Sequence, residues 1–216
     1  MVDAKGPSEF VSEAYQLANK ADMVDFYQKW ADEYDHQMIE VLGYVSPMKI
    51  AQLLMKYLPD HGSSIFDIGC GTGLTCSLLH DSGYRQLDGI DMSPDMINVA
   101  RQRGLYRELL IGDVNLPLDR IDASYDGVIS SGTFTHGHVG PEPLDEIFRL
   151  LKPGGILACT VHFELWETLG FRQKLESLVE HSVASCLYQQ QDKYYQSGED
   201  EGWFCLYRKN DYPKND

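Results

Sequence analysis

The sequence predicts an α/β protein in which a doubly wound, mostly parallel seven-stranded sheet stands behind an N-terminal group of helices. Three observations predict it. From residue 63 onward, short apolar segments alternate with segments of helical period, as expected for strands joined by crossover helices in a parallel sheet. The first of those strands runs directly into glycines at 69, 71 and 73. Before residue 60 only helical spacing is present. Right-handed crossovers wind such a sheet to both sides, and ligands bind beyond the carboxyl ends of its strands, where the winding reverses.

Residues 8–20 read as a helix with Ser8 as N-cap, and a second helix opens at Asp22. Along the second, Met23, Tyr27, Trp30, Tyr34, Met38 and Val41 recur at spacings of three and four and form one apolar, aromatic face. Ser46 is the expected cap of a third helix, with Pro47 at its first position and Pro59 and Gly62 at its end. Strands are predicted at 63–67, 87–91, 106–111, 125–131 and 155–162. The intervening helices run through Leu74, Leu78 and Leu79, then from Ser93-Pro94 through Val99, then through Leu144, Ile147 and Phe148 as far as Pro153-Gly154-Gly155. A helix through Phe171, Leu175 and Leu178 follows, and two β segments close the chain, the last at 202–208. The chain is read as one domain, with a helical part at 1–60, a ligand-binding core at 63–162 and C-terminal elements at 163–216.

Composition narrows the function classes. The 216 residues carry a formal net charge of −15, which argues against a grip on nucleic acid, since that needs a basic surface to displace counterions. No apolar run is long enough to cross a bilayer and the first residues lack a signal-peptide pattern, so no membrane association is expected. The five cysteines include no Cys-x-x-Cys pair and suit a reducing compartment, so a cytoplasmic location is expected. Nothing in the sequence specifies an oligomeric state.

The chemistry is expected at the strand ends. Asp67-Ile68-Gly69-Cys70-Gly71-Thr72-Gly73 joins the first strand to its helix. Glycines there let the backbone turn with positive φ and approach a ligand closely. The spacing is G-x-G-x-G, with Leu74 where a dinucleotide fingerprint has its third glycine, which weakens a nicotinamide or flavin reading. Asp67 before the loop suits an ammonium group better than a phosphate. Asp91 follows at the interval expected of a ribose-binding acid, and Asp113 at the end of the third strand can accept from an exocyclic amine such as that of adenine. Glycine loop, ribose acid and adenine acid together describe a nucleoside without a phosphate.

Five motifs stand in this order: 66–73, Gly89-Ile90-Asp91-Met92-Ser93, Gly112-Asp113, Tyr125-Asp126-Gly127-Val128-Ile129, and Leu150-Leu151-Lys152-Pro153-Gly154-Gly155. Over residues 63–162 the chain resembles the class I S-adenosylmethionine-dependent methyltransferases, which implies a Rossmann-like sheet ending in an antiparallel strand. It also resembles the methyltransferase-like group named for the Williams–Beuren syndrome region, through Trp30-Ala31-Asp32-Glu33-Tyr34-Asp35, the 132–143 loop and 203–209. The class resemblance implies S-adenosylmethionine as cofactor and S-adenosylhomocysteine as product. Gly69, Gly71 and Gly73 would pack under the methionine and ribose, with Asp67 near the amino group. Asp91 would hold the ribose hydroxyls with Met92 against the adenine, and Asp113 would bond the adenine amine with Val114 beside it. Ser130 and Ser131 would line the methionine end. Trp30 and Tyr34 would belong to a helix covering the cofactor, although an aromatic stripe at helical spacing equally serves a core.

Methyl transfer needs a general base only when the acceptor arrives protonated. His136, His138 and His162 are the candidate bases, expected to face the reacting end of the cofactor; each also suits a loop or packing role. No third ligand accompanies His136 and His138, so no metal is expected. The fourth strand ends Ile129-Ser130-Ser131-Gly132 and lacks the Asn/Asp-Pro-Pro-Tyr/Phe signature of many amino-group methyltransferases. With the acidic composition, this favours a small-molecule acceptor. Protein methylation and cofactor binding without turnover remain the alternatives.

Overall fold

The computed structural model describes residues 22, 26, 34–135, 139–196 and 200–211. Seven strands hydrogen-bond into one sheet in the order β3-β2-β1-β4-β5-β7-β6. They are β1 Ser64–Ile68, β2 Gln86–Asp91, β3 Glu108–Ile111, β4 Tyr125–Phe134, β5 Leu151–His162, β6 Ala184–Lys193 and β7 Glu201–Lys209. The first five run parallel to one another. β7 inserts antiparallel between β5 and β6, so the expected antiparallel last strand is present. The chain winds outward from β1 through β2 to β3, then crosses back to β4. The switch point therefore lies between the carboxyl ends of β1 and β4.

β1 is buried at every position, as a central parallel strand must be when helices cover both faces. Alternation divides its side chains between two cores. Phe66 joins Val128, Leu157, Phe134 and Phe171 on one face, while Ile65 joins Leu54, Leu79, Ile129 and Ala158 on the other. Helix α1 Ser46–Tyr57 precedes the sheet, α2 Leu74–Asp81 and α3 Pro94–Arg103 connect the first strands, and α4 Pro143–Leu150, α5 Phe163–Thr168 and α6 Phe171–Glu180 serve the later ones. In α3 the Ser93 hydroxyl accepts from the Met96 amide at 3.3 Å, Pro94 opens the helix and Gly104 ends it with φ +66.

Several boundaries differ from the sequence expectation. Val45, not Ser46, is the cap of α1. β5 begins at Leu151, so Pro153-Gly154-Gly155 lies within a strand instead of separating helix from strand. Its register against β4 shifts between Tyr125 and Gly127, which accommodates the irregular segment as a bulge. α5 was not expected: six residues are too few for a periodic pattern to declare itself. The helix expected at 8–20, and half of the one expected from Asp22 through Val41, lie outside the described residues; Tyr34 and Asp35 are helical and His36–Val41 is a π-helical turn. No described helix is long and apolar enough to cross a membrane.

Candidate functional site

A cleft of about 750 Å³, open to solvent, lies at the switch point. Its floor is the loop after β1, whose backbone is set by two neighbours. Gly69 has φ +65, and a Cβ there would overlap the Thr133 hydroxyl and come within 2.9 Å of the Thr133 Cβ. Gly71 has φ +52, and a Cβ there would stand in open space on the cleft wall. A side chain at Gly71 would therefore occupy the volume a ligand needs.

Asp91, ending β2, ties two loops together. Its Oδ2 accepts the Gly71 amide at 2.8 Å and its Oδ1 accepts the Ser93 amide at 2.9 Å. Burial raises its pKa, while the Ser93, Gly71 and Met92 amides oppose that shift by favouring the anion. Each carboxylate oxygen has a second lone pair, so the residue can hold its loops and still accept ligand hydroxyls. Asp113 stands farther along the wall, where its Oδ1 accepts the backbone amide and the side-chain nitrogen of Asn115 at 3.0 and 2.8 Å. Met92, Val114 and Tyr34 line the same cleft.

Of the residues expected at a cofactor, the structure brings Tyr34, Gly69, Gly71, Asp91, Met92, Asp113, Val114 and Ser131 to the cleft wall. Three others lie beneath it. Ser130 is fully buried, and its hydroxyl donates to the Ile68 carbonyl at 2.8 Å, because alternation on β4 turns it inward when Ser131 turns outward. Gly73 backs onto Tyr106, whose ring a Cβ would meet at 3.1 Å. Asp67 is 1% exposed; the Tyr106 hydroxyl donates to its Oδ2 at 2.8 Å, and its Oδ1 has no hydrogen-bond partner. Burial pushes the Asp67 carboxyl up to about 6, against the pull of the Tyr106 hydroxyl and the Cys76 thiol. A buried carboxylate oxygen with spare accepting capacity under a glycine loop suits a cationic ligand group placed above it.

His162 has a different setting from the one expected. It is buried, it is not among the cleft-lining residues, and it is the N-cap of α5. Its Nδ1 accepts the Glu164 amide at 3.3 Å, and its Nε2 lies 3.5 Å from Asp200 Oδ1. An Nδ1 that accepts leaves the proton of the neutral ring on Nε2. His136, His138 and Trp30 lie outside the described residues.

Sequence reasoning missed Met96 and Asn115 on the wall, and reached Gly112, Gly132, Thr133 and Val139 only as members of the Gly112-Asp113 motif and the 132–143 loop, without giving them a role. It also missed Tyr44, whose hydroxyl shares hydrogen bonds with Ser131 and Ser46; those two serines lie 3.1 Å apart. Burial raises the Tyr44 pKa, so the phenol remains a donor. A serine with proline one residue on reads locally as a helix start, and nothing in the local pattern points to a cleft eighty-five residues away.

Comparison with known proteins gives a consistent set. Residues 66–159 match the family described as methyltransferase domain. The human methyltransferase-like protein 27 is 31% identical over 173 residues, covering 79% of this chain and 69% of its own length. The malonyl-[acyl-carrier protein] O-methyltransferase of Serratia marcescens is 35% identical over 149 residues, with 68% of this chain and 55% of the relative covered. The ubiquinone biosynthesis O-methyltransferase of Xylella fastidiosa is 30% identical over 157 residues, with 68% and 60% covered. The chain thus spans little more than half of these two bacterial enzymes. In fold, it superposes on a chain of the complex between the Haloferax volcanii Trm112 methyltransferase activator and a methyltransferase. That match has a TM-score of 0.67 and 21% identity and covers 86% of this chain and 98% of the other. An S-adenosyl-L-methionine-dependent methyltransferase structure from Methanococcus maripaludis gives a TM-score of 0.63 at 19% identity, covering 87% and 95%.

Proposed function

The chain belongs to the class I S-adenosylmethionine-dependent methyltransferases, and from that premise we propose that it methylates a small-molecule acceptor at the end of the cleft lined by Ser131, Gly132, Thr133 and Val139. The observation that carries the reading is the convergence of the glycine loop, Asp91 and Asp113 on one cleft at the switch point. These residues fit the cofactor. Asp91 would take the ribose hydroxyls, Asp113 the adenine amine, with Met92 and Val114 about the base. Gly71 leaves room for the sugar and amino-acid moieties, and we assign Asp67, buried beneath the loop, to the ammonium group. Tyr34 would cover the site. The cofactor supplies a methyl group already activated on sulfur.

The protein's part is to hold the acceptor in line and keep water out. Orienting two partners in this way is worth about 7–11 kcal/mol, enough that no covalent catalyst is required. The hydroxyls of Ser131 and Tyr44 give the acceptor end hydrogen-bonding groups without a fixed charge. With two relatives named as O-methyltransferases of small or carrier-bound molecules, this supports an oxygen acceptor. We assign the glycine loop, Asp91 and Asp113 to the cofactor, and residues 22–44, 132–143 and 163–196 to acceptor selection. His136 and His138 are the proposed bases should the acceptor arrive protonated; His162, held as a helix cap, is the weaker candidate.

Calorimetric titration with S-adenosylhomocysteine, with NAD as control, tests the cofactor assignment; binding to NAD alone would overturn it. Transfer of labelled methyl from S-adenosylmethionine to a panel of small carboxylic acids and phenols, with mixed proteins in parallel, tests the acceptor class. Label appearing in protein alone would replace the small-molecule reading.

A further inference from the structure

A ring of polar contacts joins the segment before the sheet to the glycine loop, and the cofactor assignments leave it unused. Asp35 precedes the π-helical turn His36–Val41 and follows Tyr34, which lines the cleft. The Thr72 hydroxyl, between Gly71 and Gly73, donates to Asp35 Oδ1 at 2.6 Å. Arg103, the last residue of α3, forms an ion pair with the same carboxylate through its other oxygen. The Arg103 guanidinium also donates to the Ser77 hydroxyl at 3.2 Å, and that hydroxyl donates to the Gly73 carbonyl at 3.0 Å. The circuit therefore runs from Asp35 to Thr72, through Gly73 and Ser77 to Arg103, and back to Asp35.

We propose that Asp35 is a latch, a positioning residue that fastens the Tyr34–Val41 segment to the tip of the glycine loop and thereby sets cofactor affinity. The inference rests on the methyltransferase reading of the cleft. Its physical basis is where the contacts fall. Thr72 is 1% exposed, whereas the Asp35 and Arg103 side chains are 31% and 26% exposed. A partly solvated ion pair adds little to global stability. Its consequence is local: it holds Tyr34 over a floor whose backbone, at Gly69 and Gly71, the ligand itself must touch. The latch and the ligand thus order the same two elements, and each makes the other's binding more favourable. The Thr72 hydroxyl is the discriminating partner, since a residue needed only to turn the loop would not have to aim an oxygen at a segment 37 residues earlier.

The test is calorimetric titration of S-adenosylhomocysteine into the unaltered chain, Asp35→Ala, Thr72→Val and the double variant, each first shown to be folded by thermal melting. Amide hydrogen exchange across residues 36–41 is followed with and without ligand. Asp35→Ala should weaken binding about tenfold or more, as expected for a hydrogen bond to a charged group. The double variant should bind no more weakly than Asp35→Ala, because both changes remove one contact. Ligand should slow exchange at 36–41 in the unaltered chain and not in Asp35→Ala. Thr72→Val preserves shape in the buried loop and serves as the second probe if Asp35→Ala fails to fold. Unaltered affinity in a folded single variant, or additive losses in the double, would overturn the latch. Failure of the unaltered chain to bind S-adenosylhomocysteine would instead overturn the cofactor reading, and the latch with it.

Discussion

On the β1–β3 side of the cleft, the carboxylates that line the wall bond to groups close in sequence. Asp91 reaches back twenty residues to Gly71 and forward two to Ser93, and Asp113 forward two to Asn115. On the β4–β5 side the bonded groups are distant. Ser131 meets Ser46 across eighty-five residues, and Thr133 donates to Ile68 across sixty-five. The first side is a set of strand-end motifs that carry their own geometry. The second exists only once the sheet has closed and α1 has packed against it. A cofactor common to many enzymes can be held by the first kind of construction, while the second leaves the acceptor end free to differ between relatives.

The largest effect should come where the two sides touch. Gly69→Ala forces a side chain onto Thr133 at positive φ, so we expect a stability loss of about 1–3 kcal/mol and no measurable S-adenosylhomocysteine binding by calorimetry. Thr133→Ala in the same chain should restore part of the stability, because the displaced hydroxyl is the main obstacle. If it restores none, the two sides are not coupled at this point.

Asp91→Ala should weaken S-adenosylhomocysteine binding by about 1.5–3 kcal/mol, the value of a hydrogen bond to a charged group. It should also lower Tm, since the Gly71 and Ser93 amides lose their acceptor. Unchanged affinity would remove Asp91 from the ribose role and leave it a loop tie alone.

Asp67 makes a smaller, pH-dependent prediction with two opposite signs. Its folded carboxyl is held up to about 6, above the unfolded value of about 3.9. The folded chain keeps a proton that the unfolded chain releases between these values. The associated stability is therefore fully present below about pH 4 and is lost as pH rises through about 6. Ligand binding should run the other way and strengthen as pH rises through the same range, because the cofactor's ammonium needs the anion. Asp67→Asn should flatten both profiles, as read by Tm and by calorimetry from about pH 4 to about pH 7, which spans the unfolded and folded values. A binding profile that keeps its slope in Asp67→Asn would assign the titration elsewhere.

The smallest change expected is in His162→Ala. As a helix cap, His162 should contribute about 0.5–2 kcal/mol, so Tm falls modestly and kcat holds. A general base would instead show a drop in kcat of about 10²–10⁴-fold.

Much of the molecule was legible before any coordinates. The alternation of short apolar segments with segments of helical period located six of the seven strands and anticipated the other without placing it, and the spacing of Gly69, Gly71, Asp91 and Asp113 located the cleft wall, because strand ends are where a doubly wound sheet binds ligands. These properties depend on neighbours a few residues away. Tertiary structure decided the rest. It placed Ser130 inward and Ser131 outward, set Asp67 and Gly73 beneath the loop against Tyr106, and made His162 a cap. It also brought Tyr44 and Ser46 to Ser131, and Asp35 to Thr72. The physical reason is one of range. Chain spacing sets local backbone geometry, but which side chains share a cavity depends on how separate elements stack, and no periodicity records a partner eighty-five residues away.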